Sequence, residues 1–183
     1  IGRGNARDDM GDPQGAMADY NQALRLDPNS IDGYYNRGVT HRRLGNYPEA
    51  IADFSAAIRL APDYVVAYVG RGNAQSQSGN YQAAIADYSQ ALRLDPNQPG
   101  VYNNRGNAQS ELGDERAALA DYSQAIRLDA SYADAYFNRG LSRARLGENQ
   151  AALTDLQQAA RLYQEQGDRE MYQQSQTAIA QLR

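Results

Sequence analysis

The dipeptide Arg-Gly recurs every 34 residues, at Arg3-Gly4, Arg37-Gly38, Arg71-Gly72, Arg105-Gly106 and Arg139-Gly140. A second glycine column follows at Gly11, Gly45, Gly79, Gly113 and Gly147. Alanines keep the same period at Ala16, Ala50, Ala84, Ala118 and Ala152, and again from Ala23 to Ala159. A fixed period of this length marks a chain of identical supersecondary units. None of them can bury its apolar face alone, so they stack into a solenoid.

Each unit reads as two helices. In the second, apolar Ile51, Phe54 and Ile58 fall at three- and four-residue spacing, the helical period. Gly45 supplies the stop a helix C-terminus favours. Asn46 follows as an N-cap with Glu49 as its capping-box partner, and Pro62 ends the second helix. Asp12, Asn80 and Asp114 repeat the cap; Pro28 and Pro96 repeat the break. Gly38 and Ala50 let the two helices approach closely, and the aromatic pairs Tyr34/Phe54, Tyr68/Tyr88 and Tyr102/Tyr122 fill the remaining space. The spacing predicts helix pairs over 1–10/13–26, 32–44/47–60, 66–78/81–94, 100–112/115–128 and 134–146/149–166, and a last helix over 168–182. Units are expected at 1–30, 31–64, 65–98, 99–132 and 133–167. The first is truncated at its N-terminus, with more protein expected upstream. The 168–183 segment, with Met171, Ala178, Ile179 and Leu182 in one stripe, is expected to cap the stack.

These columns resemble the tetratricopeptide repeat family, whose 34-residue pattern is carried in one unit by Tyr34, Gly38, Ala50, Phe54, Ala57 and Pro62. The likeness runs from Ile1 to about Gln166 and is closest to an Asn-Arg-Gly variant (Asn36-Arg37-Gly38) abundant in bacterial members. The fifth unit departs from it, with Gln164 in place of the proline and Leu156 in place of the aromatic, so its second helix is expected to run on. The resemblance implies an all-α, right-handed α-solenoid of five helix-turn-helix units plus a C-terminal capping helix.

It also implies a function. In this family the first helix of each unit lines a concave groove that holds peptide segments or partner helices. Carried over by helical periodicity, the groove residues are Tyr35, Asn36, Val39, Arg42 and Arg43 in the second unit and Val69 and Asn73 in the third. The fourth gives Asn103, Asn104 and Asn107; the fifth gives Phe137, Asn138, Leu141 and Arg145. Asn36, Asn104 and Asn138 share a column. Asparagine ladders of this kind in other members grip a peptide backbone, since the amide both donates and accepts; bridging between adjacent helices is the competing role. The family's lysine-rich clamp for chaperone C-termini is not matched, because Val69, Asp134 and Asn138 occupy the places that need cations. A protein or peptide partner is therefore expected, with a structural spacer or homo-oligomer, stacked through the N-terminal edge, as the alternative.

Composition narrows the chemistry. A net charge of −4 gives no basic surface for nucleic acid. No apolar run approaches the roughly 18 residues of a membrane helix, so no membrane insertion is expected. The chain reads as soluble, with a cytoplasmic location slightly favoured over a periplasmic one. Cysteine is absent and His41 is the single histidine. No metal, cofactor or catalytic constellation is expected, and the chain does not read as an enzyme. Arginine and aspartate recur 16 residues apart, from Arg3/Asp19 to Arg139/Asp155. Ion pairing between the two helices of a unit is the expected role; a charged ladder for a ligand is the alternative.

Overall fold

The computed structural model describes residues 1–182, and these hold eleven helices. They divide into two compact units, Ile1–Leu94 and the segment from Asp95 onward. The first contains α1 (Gly2–Asp9), α2 (Pro13–Leu26), α3 (Ile31–Arg43), α4 (Tyr47–Leu60), α5 (Val65–Gln77) and α6 (Tyr81–Leu94). The second contains α7 (Pro99–Glu111), α8 (Glu115–Leu128), α9 (Ala133–Arg145), α10 (Asn149–Gln166) and α11 (Arg169–Gln181). Odd-numbered helices up to α9 are the A helices, even-numbered ones the B helices, and each A packs on the B that follows it. Within each unit each B helix also packs on the next A helix, and α10 packs on α11.

The A-to-B turns share one geometry. Gly45 takes φ +78°, and the same column repeats positive φ at Gly11, Gly79, Gly113 and Gly147. The Gly45 amide donates to the Arg42 carbonyl at 3.0 Å and the Asn46 amide reaches back to His41 at 2.9 Å, the paired bonds of a Schellman stop. A side chain other than glycine would be strained at that φ. Leu44, Leu112 and Leu146 lie just before the glycine with ψ within 1° of zero. The later A helices therefore end one residue earlier than the spacing predicts, and each begins one residue earlier as well.

The expected caps are met unevenly. Asp12 accepts from the Gly15 amide at 2.9 Å and Asp114 from Ala117 at 3.1 Å, the usual N-cap bond. The Asn46/Glu49 capping box does not form: Asn46 makes no side-chain cap bond, and its amide lies 3.5 Å from His41 Nδ1 instead. Proline proves dispensable for ending the B helices. Asp129 precedes Ala130, yet turns out at φ −140°, ψ 100°, much as Asp27 does before Pro28. Its carboxylate accepts from the Ser131 amide at 2.9 Å, an Asx turn that does the work of the ring. Helix α10, without either device, runs four residues longer than the other B helices and stops at Gly167, φ +77°.

One large residue per B helix forms the centre of each pair: Tyr20, Phe54, Tyr88, Tyr122 and Leu156 are at most 2% exposed. The Arg-Gly glycine exists for this residue. A Cβ at Gly72 or Gly106 would stand 2.7 Å from the Tyr88 or Tyr122 ring, and one at Gly140 would stand 2.8 Å from Leu156. The close neighbour of Gly38 is thus the Phe54 ring, at 3.1 Å, where the sequence suggested Ala50. At the C-terminal end α11 lays Met171, Tyr172, Ile179 and Leu182 against the clusters around Leu156 and Tyr163.

Candidate functional site

The arginine–aspartate columns are consumed inside the fold. Arg37 grips Asp53 with two bonds of 2.8 and 2.6 Å, gives a third to Asn21 at 2.7 Å, and lies over the Tyr34 ring at 5.6 Å. Arg139 repeats the set with Asp155, Ser123 and Tyr136. Asp53 and Asp155 are 4% and 3% exposed. Planar, forked and weakly hydrated, guanidinium suits such a pair. Arg7 and Arg143 add a second cation to Asp19 and Asp155. His41 stands in their column with Nε2 3.9 Å from Asp53, so it belongs to the same structural set.

The inner side chains of the A helices are more varied. In the first unit Tyr35 is half-buried, its ring 5.8 Å from Phe54 and 5.5 Å from Tyr64, edge-on. Burial raises the pKa of its hydroxyl, against the charge of Arg42. Val39 packs beside it on the Phe54 cluster, and Val69 and Asn36 are half-buried. Arg43 is bound to Asp8, and Arg42 donates to Gln77 at 3.3 Å. In the second unit Asn138 donates to Asn103 at 3.0 Å, and Asn103 is 4% exposed. Arg145 reaches Ser110 at 2.5 Å and Glu115 at 3.0 Å. Burial alone would raise the Glu115 carboxyl, but its hydrogen bonds, Arg145 and Ser110 among the donors, outweigh that and hold it below its ordinary value. Four of these contacts join residues 35 apart, so α1 is stitched to α3, α3 to α5, and α7 to α9 along their inner side. The Asn138 bridge is the helix-to-helix role that the sequence left open for its column; Asn104 is half-buried within the same helix as Asn103.

Asn73 and Asn107 have a role that sequence reasoning missed. Asn107 accepts from the Tyr122 hydroxyl at 2.8 Å, Asn73 from Tyr88 at 2.8 Å and Asn5 from Tyr20 at 2.9 Å. Where the B-helix residue lacks a hydroxyl, the A-helix partner is apolar: Val39 meets Phe54, and Leu141 meets Leu156. A buried hydroxyl needs a partner, and a buried phenyl or leucine does not. The signal was present in the sequence, as an amide paired with tyrosine 15 residues on, never with phenylalanine or leucine.

Two openings flank α9. One, of about 290 Å³, is lined by Asn107, Ser110, Glu111, Tyr122, Asn138, Leu141 and Arg145. The other, of about 550 Å³, lies between α9 and α11 and is lined by Phe137, Glu170, Gln173, Gln174, Thr177, Ala178 and Gln181. The α11 side of this second opening was not expected, because the sequence shows only the stripe by which α11 caps the stack. No group of three or more metal-ligating side chains comes together among the described residues, and none of their helices is long and apolar enough to cross a membrane.

Helix hairpins stacked at a fixed period, each with one large buried side chain seated on one glycine, define a helical-repeat scaffold. Family models described as tetratricopeptide repeat match residues 1–65 and 134–165, and a TPR repeat model matches 76–113 and 111–147. The chain belongs to the tetratricopeptide repeat family. No curated protein matches it. Among solved structures, MamA is similar over 90% of this chain and 96% of its own, at 24% identity and TM-score 0.85. YrrB, described as a TPR protein with an unusual peptide-binding site, is similar over 97% of this chain and 90% of its own, at 22% identity and TM-score 0.79. TTC0263, a thermophilic TPR protein in Thermus thermophilus, matches at 19% identity and TM-score 0.73, over 97% and 95% of the two chains.

Proposed function

We propose that the chain is a protein-interaction scaffold that holds a peptide segment or a partner helix on the inner faces of its A helices. The observation that carries this reading is α9. Phe137 and Leu141 pack on the core from one side and remain partly exposed on the other, each on the lining of an opening. Aromatic anchors of this kind dominate many interfaces. Asn73, Asn103 and Asn107 contribute less than the sequence suggested, since each is already engaged within the fold. Tyr35, Val39 and Val69 supply the equivalent apolar ground in the first unit. YrrB, with its peptide-binding site, gives the reading a precedent in this fold.

The test is an affinity pull-down with the wild-type chain beside Phe137→Ala, with Gln82→Ala and Thr154→Ala on B helices as controls. Loss of the captured partner with Phe137→Ala alone is the expected result, by about tenfold in affinity. Equal capture by all four proteins would remove the inner face from consideration.

A further inference from the structure

The α7–α9–α11 face carries an unbalanced charge that points to the kind of segment it takes. Among the described residues the one cation lining either opening, Arg145, is already spent: Nη1 lies 3.0 Å from Glu115 Oε1 and 2.5 Å from the Ser110 hydroxyl. Two exposed carboxylates border the openings on either side of α9, Glu111 beside Leu141 and Glu170 beside Phe137. Among the described residues neither has an ion-pair partner; Glu170 takes only a 3.4 Å bond from its neighbour Gln174. Between them lie the Phe137 ring, the Ala178 methyl and uncharged amides.

Each part of this surface selects a feature of its ligand. Phe137 and Ala178 line an open depression of about 550 Å³, roomy enough to accept a large apolar side chain. Gln173 and Gln174 each present a donor and an acceptor, which suits a peptide main chain of any sequence. The free carboxylates favour a cation next to the apolar residue and penalise an acidic one, which would bring like charges together without a counterion.

We propose that the α7–α9–α11 face takes an extended segment in which a bulky apolar residue stands beside lysine or arginine. This rests on the inner-face reading above and adds to it the ligand's charge and anchor. The probe is a random linear peptide library displayed on phage, selected against the full chain, with the enriched peptides then synthesised and titrated by fluorescence anisotropy. Enriched peptides are expected to pair leucine, phenylalanine or another large apolar residue with a nearby lysine or arginine. Glu111→Gln with Glu170→Gln should weaken them about fivefold at low salt, and that loss should fade at high salt. Because Phe137 also packs on the core, a second position supplies a variant that leaves the fold intact. Thr177 is exposed on the lining of the opening; Thr177→Arg should weaken binding and Thr177→Glu should strengthen it. If peptides bind, Phe137→Ala weakens them, and neither the glutamine pair nor the Thr177 variants change affinity with charge, the charge selection is wrong while the inner-face reading stands. Enrichment of acidic peptides has the same meaning. If no enriched peptide depends on Phe137 or Thr177 at all, both fall together.

Discussion

Replacing Asn107 by valine removes the acceptor of the Tyr122 hydroxyl while reproducing the side chain that faces Phe54 at Val39. The Tyr122 ring is 2% exposed, so the orphaned hydroxyl should cost roughly 1–3 kcal/mol. The hydroxyl borders an opening of about 290 Å³ that water can enter, which places the cost near the lower end, about 1 kcal/mol. Tyr122→Phe removes the donor instead. Asn107 is half-exposed and can turn to solvent, so this change should cost less than about 1 kcal/mol. In the double variant the hydroxyl and its amide acceptor are removed together, and the pair becomes the Val/Phe combination that the second repeat already uses. Its loss should therefore fall short of the sum of the single losses by about 1 kcal/mol. Helix-propensity differences between asparagine and valine cancel in the cycle. Urea denaturation of the four proteins, followed by circular dichroism, measures the coupling. Additivity within about 0.3 kcal/mol would refute the claim that the tyrosine hydroxyl dictates the amide column.

Three further outcomes are expected. Gly72→Ala puts a Cβ 2.7 Å from the Tyr88 ring and should cost about 1–3 kcal/mol, seen as a lower melting temperature; an unchanged melt would show that the ring is free to move. Ala84→Leu overpacks a fully buried crossing and should cost a similar 1–3 kcal/mol, whereas Gln82→Leu, two residues back on the exposed side of the same helix, should be near neutral; equal shifts would contradict the packing. The Glu115 carboxyl is held below its ordinary value of 4.5 in the folded state, so its stabilisation is complete above that pH and is lost as the pH falls through the folded-state value. Wild-type stability should consequently drop more steeply below about pH 4.5 than that of Glu115→Gln, and parallel acid curves would remove the Arg145–Glu115 pair from the list of stabilising contacts.

The repeat, its turns and its pairing of helices were legible because each rests on a local rule. Gly11, Gly45, Gly79, Gly113 and Gly147 mark positions that only glycine adopts easily, and Gln164 in place of proline foretold the longer α10. What periodicity could not supply was the direction of a side chain placed between two neighbours. Asn73 and Asn107 lie on the inner side by helical phase, yet their oxygens turn to a tyrosine on the following B helix. Arg42, Arg43 and Arg145 lie there too, but long side chains reach sideways to the adjacent A helix. Asn103 has the same phase as Phe137 and is buried. The α11 side of the second opening was hidden for another reason. The sequence identified α11 by its apolar stripe, and the glutamines opposite that stripe look like any solvated surface until Phe137 is placed beside them.

The central claim, that partners are held on the inner faces of the A helices, is tested most directly by site-specific photo-crosslinking. A benzophenone-bearing phenylalanine analogue installed at Phe137 and, separately, at Tyr35 places a short-range probe on that face in each unit; the same residue at Gln82 or Thr154 reports on the B helices. After irradiation in extract of the source cells, adducts are resolved by mass and the attached peptides sequenced. Discrete adducts to another protein from the inner positions, displaced by excess unlabelled chain and missing from Gln82 and Thr154, are the predicted result. Adducts confined to the B-helix positions, or only to a second copy of this chain, would contradict it.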